Sequence, residues 1–147
     1  YESRDQLLME VLDEGLADLR VHIDRLAKQS DEVALETEGR LIFEYIQQHA
    51  DLFRILLKSQ SVARIRSRVV RTIATTYQKS CAPLERVGDR TSVSLACNHI
   101  ATALLSLIEW WREHGRHPAP TEMGRFYKSL IIDSTLRAVG ALSAGPV

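Results

Sequence analysis

The chain has 147 residues with nineteen basic and nineteen acidic side chains, so its formal net charge is zero. This balance excludes a strongly basic domain that would attract nucleic acid or anionic membranes through net charge alone. Hydrophobic residues make up 45% of the composition, and the length suits one domain with a sizeable core. The two cysteines, Cys81 and Cys97, follow no metal-ligand or redox spacing, so we expect a reducing cytoplasm and no disulfide framework.

Three helices are predicted in the first sixty residues. Ser3-Arg4-Asp5-Gln6 is a capping box that opens an amphipathic helix, which should end near Lys28. Asp31 is expected to cap a second helix through Ile46, and Asp51 is expected to cap a short third helix. Because the chain begins beside the capping box and not at a methionine, we expect further sequence before its first residue.

Three more helices are predicted in the rest of the chain. Apolar residues recur at three- and four-residue steps from Ser61 onward, over 89–113, and again after Thr121, which is expected to cap the last helix. Gly115 and Pro118 separate the last two helices. No stretch alternates with period two over a useful length. The sequence therefore predicts an all-α, antiparallel bundle of about six helices.

The run from Val93 to Ile108 contains no charged residue. One arc of this predicted helix, which includes Ile100 and Leu104, is apolar, and the opposite arc carries small or neutral groups such as Thr102. A solvated helix face normally carries charge, so we interpret this helix as the inner helix of a dimer. We expect it to be too short and too polar to span a bilayer.

No pattern of catalytic or metal-binding residues is evident. His114 and His117 lie close together in the sequence, but a metal site needs further ligands. Neither Cys81 nor Cys97 has a partner pattern for nucleophilic chemistry, and no glycine-rich phosphate loop occurs. We therefore expect no enzyme activity, no cofactor and no bound metal.

The densest group of charges consists of Arg64, Arg66, Arg68 and Arg71. A solvated outer helix face explains these arginines, and contact with an anion or phosphate is the alternative. His99 on the central helix is similarly open to two interpretations. We expect it in the core or at an interface, and contact with a ligand is the alternative.

Apolar side chains on several helices also fit two interpretations. They form a filled core, or they line an apolar cavity in which a tyrosine hydroxyl supplies a polar contact. Periodicity cannot separate these alternatives. The candidate effector-binding residues are Phe43, Ile46, Phe53, Leu56, Ile65, Val69, Ile73 and Tyr77, with Cys97, Ala101 and Leu104 on the central helix.

Three segments, in chain order, resemble TetR-family transcriptional regulators. YESRDQLL resembles the segment that joins the family's DNA-binding domain to its effector domain, and FEYIQQHADLFRILL resembles the stretch that follows. ATALLSLIEWWREHGRHPAPTEMGRFY resembles the family's ending, with Trp111 at its tryptophan position. Thr102 and Ser106 stand where the family often has glycine, but both are small, so close helix packing is retained.

The resemblance implies a dimeric regulator with an N-terminal helix-turn-helix, followed by the helical domain represented here. Residues 1–4 would be the junction, 5–141 the effector-binding and dimerisation domain, and 142–147 a frayed tail. Ser3 and Arg4 would contact the DNA backbone. The last two helices of each subunit would form an inter-subunit four-helix bundle. The implied dimer interface contains Leu95, His99, Thr102, Ser106, Trp110, Phe126, Tyr127 and Leu130.

The implied function is that of a DNA-binding repressor whose C-terminal domain binds a small, largely apolar effector. Its partners would be a second copy of the chain, the effector, and operator DNA through an N-terminal domain outside this chain, with no membrane. The main alternative is a helical dimeric binding or scaffold module with no DNA partner. A small helical enzyme is a third alternative, which requires a catalytic cluster that the residue spacing does not show.

Overall fold

The computed structural model describes residues 32–58, 62–80 and 90–143, together with part of the stretch from 6 to 21. Several sequence predictions fall outside these residues. They are the DNA-backbone contacts Ser3 and Arg4, the junction 1–4, the cap Asp31, the cysteine Cys81, and residues 144–147 of the predicted tail.

Every element of the described chain is a helix, and no described residue lies in a strand, which confirms the all-α prediction. Together with the described residues between 6 and 21, which are helical, these elements confirm about six helices. We call the continuous run 120–143 the last helix. The elements are α1 (Glu32–Gln48), α2 (Ala50–Lys58), α3 (Val62–Ser80), α4 (Arg90–Glu113), and in the last helix α5 (Pro120–Phe126), a π-helical segment (Tyr127–Asp133) and α6 (Ser134–Ser143).

Two predicted helix caps are wrong. The residue that caps α5 is Ala119, not Thr121, and Pro120 opens the helix. Proline suits that position because its fixed φ is helical and its missing N–H has no partner in the first turn. Asp51 lies inside the first turn of α2, which begins at Ala50. Its carboxylate there interacts favourably with the helix dipole.

The centre of the core is Trp111 of α4, whose side chain is fully buried. Its indole meets the ring of Phe43 of α1 edge-on, with the ring centroids 5.0 Å apart. Such an aromatic pair contributes about 0.5–1.5 kcal/mol beyond its buried area. The indole Nε1–H also donates a hydrogen bond of 2.6 Å to the Pro118 carbonyl oxygen. Trp111 therefore holds both α1 and the turn after α4.

The N-terminal helical stretch packs on α3 and α4. Met9, Val69 and Leu105 form a second, smaller buried cluster that joins the three helices. Beside it, Arg68 Nη2 lies 2.8 Å from Asp13 Oδ2. These contacts join the described N-terminal residues to α3 and α4.

α1 and α5 cross at two glycines, Gly39 and Gly124. A Cβ atom on Gly39 would lie 2.8 Å from Gly124 Cα and 2.8 Å from Tyr127 Cδ2, so the backbones approach more closely than a side chain permits. A Cβ on Gly124 would lie 2.8 Å from the Arg40 backbone nitrogen and closer still to the Glu36 carbonyl oxygen. The crossing therefore requires glycine on both helices.

The residues Thr91–Glu113 of α4 are long and apolar enough to cross a membrane by length and composition, with a mean hydropathy of 1.4. The expectation that this helix is too short is wrong, because the helix extends past the charge-free run at both ends. The core helix of a soluble protein passes the same test. Here the helix packs along α3 and the last helix, and Glu109 forms an ion pair with Arg66.

We expect Gly124→Ala to destabilise the protein by about 1–3 kcal/mol, the usual range for overpacking a close contact. The new methyl group meets backbone atoms of α1, which cannot rotate out of its way. Thermal unfolding followed by circular dichroism measures the effect. Arg125→Ala, at the exposed neighbouring position, is the matched control and should leave Tm nearly unchanged. Equal Tm values for the two variants would contradict the close crossing.

Candidate functional site

A chain of three polar groups crosses the apolar core. Glu38 of α1 is only 7% exposed. The Tyr127 hydroxyl donates to Glu38 Oε2 at 3.1 Å and is hydrogen-bonded to the hydroxyl of Tyr77 from α3. Both tyrosines are buried. We call Glu38, Tyr77 and Tyr127 the polar cluster, and it joins α1, α3 and the last helix.

The close approach of α1 and α5 at Gly39 and Gly124 brings Tyr127 next to Glu38 and so determines the position of the polar cluster. Gly39 is next to Glu38, and the position of its missing Cβ is 2.8 Å from the Tyr127 ring. The Tyr127 ring therefore lies directly against α1. The surrounding core includes Ile42, Ile131 and other buried aliphatic side chains.

Burial raises the pKa of Glu38 from 4.5 to about 7, because the charged carboxylate loses its hydration, and the hydrogen bond from Tyr127 lowers it by a smaller amount. No described lysine, arginine or histidine forms an ion pair with this carboxyl group. A buried carboxyl group that changes its protonation near neutral pH is a frequent mark of a functional position.

Sequence reasoning missed Glu38, although a signal for it exists. Leu35, Glu38 and Ile42 are spaced by three and four residues, so the glutamate lies on the apolar stripe of its helix. A charged residue on such a stripe is rarely fully buried without a specific partner. The partner could not be found from sequence, because Tyr127 is eighty-nine residues away.

The described effector-binding candidates lie together in the core. Most of them belong to the main buried cluster or pack against it, whereas Val69 belongs to the smaller cluster with Met9 and Leu105. The side chains of Leu56 and Ile65 lie outside the described residues. The candidates that the main cluster brings together are Phe43, Ile46, Phe53, Ile73, Tyr77, Cys97 and Leu104, and Ala101 is also fully buried.

An open groove of about 500 Å³ runs between α3 and α4, on the outer side of this core. Its walls are mixed, with the polar side chains Ser67, Arg71, Asn98 and Thr102 beside the apolar Val70 and Ala74. Cys97 is the effector-binding candidate that reaches this groove. The thiol is otherwise buried, and burial raises its pKa. It is therefore a neutral group at neutral pH.

Seven of the eight predicted interface residues are exposed, and none of the seven is a lysine, arginine, aspartate or glutamate. Leu95 is 59% exposed and Leu130 61% exposed, and His99, Thr102, Ser106, Trp110 and Phe126 are exposed as well. We call this set of seven residues on α4 and the last helix the apolar face. Tyr127 was predicted with them, but its side chain is completely buried inside the protomer. Tyr127 follows the buried Met123 by four residues, so the helical spacing of α5 directs its side chain into the core.

The arginine group divides into paired and exposed members. Arg66 pairs with Glu109 and Arg68 pairs with Asp13, so both connect helices. Arg64 and Arg71 are exposed, and Arg71 borders the α3–α4 groove. Within the described part of the chain, no group of three or more histidine, cysteine, aspartate or glutamate side chains is placed to hold a metal ion.

A family model described as a transcriptional regulator C-terminal region, of the TetR type, matches residues 39–133. The chain belongs to the TetR family. No curated protein and no solved structure matches the chain. The match to this TetR-family region includes Tyr77, Tyr127 and the whole apolar face, and it begins one residue after Glu38. The chain is thus a C-terminal domain of a transcriptional regulator, a kind of domain that is generally not an enzyme.

We expect the stability of this TetR-family domain to depend on pH through Glu38. The folded state holds the proton up to about pH 7, whereas the unfolded carboxyl group releases it near 4.5. The stabilisation is therefore fully present below pH 4.5 and lost as pH rises through about 7, by an amount on the order of 3 kcal/mol. Denaturant unfolding at several pH values measures it.

Glu38→Gln removes the titrating group and keeps its shape, so this variant should lack that part of the pH dependence. Glu36→Gln, on the same helix but outside the polar cluster, is the matched control and should follow the unchanged protein. Parallel pH profiles for the unchanged protein and Glu38→Gln would show that Glu38 does not titrate in this window.

Proposed function

We propose that this chain is the effector-binding and dimerisation domain of a cytoplasmic TetR-family repressor. A small, largely apolar effector binds in the core region between the helices and changes the affinity of the dimer for operator DNA. A helix-turn-helix that precedes this chain in the regulator contacts the DNA, with Ser3 and Arg4 near the phosphate backbone. The family match over residues 39–133 is the observation that carries this proposal.

The apolar face supports dimerisation. Leu95 and Trp110 are exposed near opposite ends of α4, and Phe126 and Leu130 are exposed on the last helix, which packs against α4. Large exposed apolar side chains on neighbouring helices are typical of a protein interface. A twofold contact between two such faces would pair α4 and the last helix of each subunit in a four-helix bundle.

The packing of the N-terminal stretch supports a route from effector to DNA. The cluster of Met9, Val69 and Leu105 and the Asp13–Arg68 pair connect that stretch to α3 and α4. An effector that prefers one arrangement of these helices shifts the population of dimers with a given half-site spacing. Two DNA-binding units must match half-sites about 34 Å apart, so a modest change in spacing lowers affinity.

The polar cluster supports an effector that is apolar with one polar group. The described candidates for effector contact are apolar apart from Tyr77 and the neutral thiol of Cys97. The Tyr77 hydroxyl already takes part in a hydrogen bond with Tyr127. A polar atom of the effector could hydrogen-bond to this cluster, which would fix the orientation of the molecule. The apolar part of the effector would pack among the apolar side chains around it.

For the dimer, we expect Ser106→Arg to yield monomers or insoluble protein, because it would bury two guanidinium charges at a twofold contact. Light scattering after size-exclusion chromatography measures the mass. Gln47→Arg adds the same charge at an exposed position of α1, which is not part of the apolar face, and should leave the dimer intact. An intact Ser106→Arg dimer would remove Ser106 from the interface.

For the DNA partner, we expect the regulator, with the sequence that precedes this chain, to select a palindromic site from a random DNA pool. The two half-sites should be about 34 Å apart, since that is one helical turn. Sequencing of the bound DNA reads the result. A stable dimer that enriches no DNA sequence would instead support the helical binding or scaffold module.

A further inference from the structure

The last helix contains a π-helical segment, Tyr127–Asp133, between α5 and α6. Two side-chain contacts span five residues, the spacing that π-helical geometry brings together. Lys128 Nζ lies 2.6 Å from Asp133 Oδ2, and Ser134 Oγ donates to the Ser129 carbonyl oxygen at 3.2 Å. π-helical turns are rare and are frequently found at functional sites. We therefore ask which functional contacts this segment connects.

The π-helical segment lies between the polar cluster and the apolar face. Its first residue is Tyr127, whose hydroxyl contacts Glu38 and Tyr77 in the core. Phe126 precedes it and Leu130 lies within it, and both of these side chains are exposed on the apolar face. Residues 126–130 thus include one core residue and two residues of the apolar face.

We propose that the polar cluster is a proton-dependent lock on the register of the last helix, in which neutral Glu38 holds Tyr127–Asp133 in π-helical form and loss of the Glu38 proton releases it and weakens the apolar face. This inference rests on the proposed dimerisation for its effect on assembly. The lock itself lies within one protomer and does not depend on the partner.

The number of hydrogen bonds explains why ionisation of Glu38 would release the lock. A neutral carboxyl group is satisfied by few partners, whereas a carboxylate has about four acceptor positions and strongly requires donors or water. Tyr127 supplies one donor to Glu38 in the folded core. An ionised Glu38 therefore favours the entry of water between α1 and the last helix, which separates Tyr127 from α1.

Among the described residues, no cation forms an ion pair with Glu38. Tyr127 of the last helix is hydrogen-bonded to Glu38, and Tyr77 of α3 is hydrogen-bonded to Tyr127. On α1, Arg40 is paired with Glu44 at 2.8 Å. On the last helix, Lys128 is paired with Asp133. Burial raises the pKa of Glu38 to about 7, so the change would take place near neutral pH.

A change of register would alter the apolar face in a defined way. Conversion of a π-helical turn to an α-helical turn shifts the hydrogen-bond register by one residue, and each residue of an α-helix turns through about 100°. The part of the helix that follows would rotate relative to α5. Leu130 would then change its direction relative to Phe126. The exposed surface that these two side chains form would no longer fit the second subunit of the proposed dimer.

The first measurement is the dimer dissociation constant at about pH 6 and about pH 8, by analytical ultracentrifugation of the unchanged chain, Glu38→Gln and Glu36→Gln. One linked proton changes a dissociation constant by at most tenfold per pH unit for each subunit. We expect the constant of the unchanged chain and of Glu36→Gln to rise at least several-fold at the higher pH. Glu38→Gln should remain a tight dimer at both values. Equal pH dependence in all three proteins would overturn the lock.

The second measurement is hydrogen exchange of the backbone amides in 127–133 over the same pH range, corrected for the intrinsic pH dependence of exchange. Protection should fall at the higher pH in the unchanged chain and stay constant in Glu38→Gln. Tyr127→Phe retains the ring but lacks the hydroxyl, and it should lower protection at both pH values. Protection that is independent of both substitutions would overturn the lock. If the unchanged chain is monomeric at every pH, the proposed dimer fails, and hydrogen exchange alone still decides the lock.

Discussion

The close approach of α1 and the last helix is the constraint on which the rest of this structure depends. Two glycines, Gly39 and Gly124, allow the backbones to meet at a distance that excludes a Cβ atom on either side. The approach brings Tyr127 directly against α1 and next to Glu38. Glu38 is buried beside this crossing, and burial raises the pKa of its carboxyl group to about 7.

The two sides of α4 lie in different environments. Its inner side carries Trp111, which packs against Phe43 and holds the following turn. Its outer side carries Leu95 and Trp110, both exposed on the apolar face. A helix without charge along its middle is explained when one side fills a core and the other contacts a second subunit. The same composition makes the helix long and apolar enough to cross a membrane. Its residue Glu109 nevertheless forms an ion pair with Arg66 of α3.

The interior and the surface of this TetR-family domain meet at one backbone segment. Tyr127 belongs to the core and Leu130 to the apolar face, and both lie in the π-helical segment. The N-terminal stretch is attached to α3 and α4 through Val69 and Leu105. Changes in the core can therefore reach both the surface proposed for assembly and the end of the chain proposed to join the DNA-binding unit.

The sequence by itself determined the helical fold and the family, because both depend on information that is local in the chain. Three- and four-residue spacing located the helices, and short segments such as FEYIQQHADLFRILL carried the family resemblance. It also showed that the middle of α4 lacks charge on both sides. The caps at Thr121 and Asp51 were wrong because several nearby residues compete for the first turn.

Only the tertiary structure shows that Glu38 is buried and that it is hydrogen-bonded to Tyr127. Their contact joins residues eighty-nine positions apart and depends on glycines of two different helices. Helical periodicity places Tyr127 on the same side of the last helix as Met123 and Ile131, each four residues away, but it does not show whether that side faces the core of the protomer or a second subunit. Burial and register are properties of helices packed together, and one helix considered alone does not specify them.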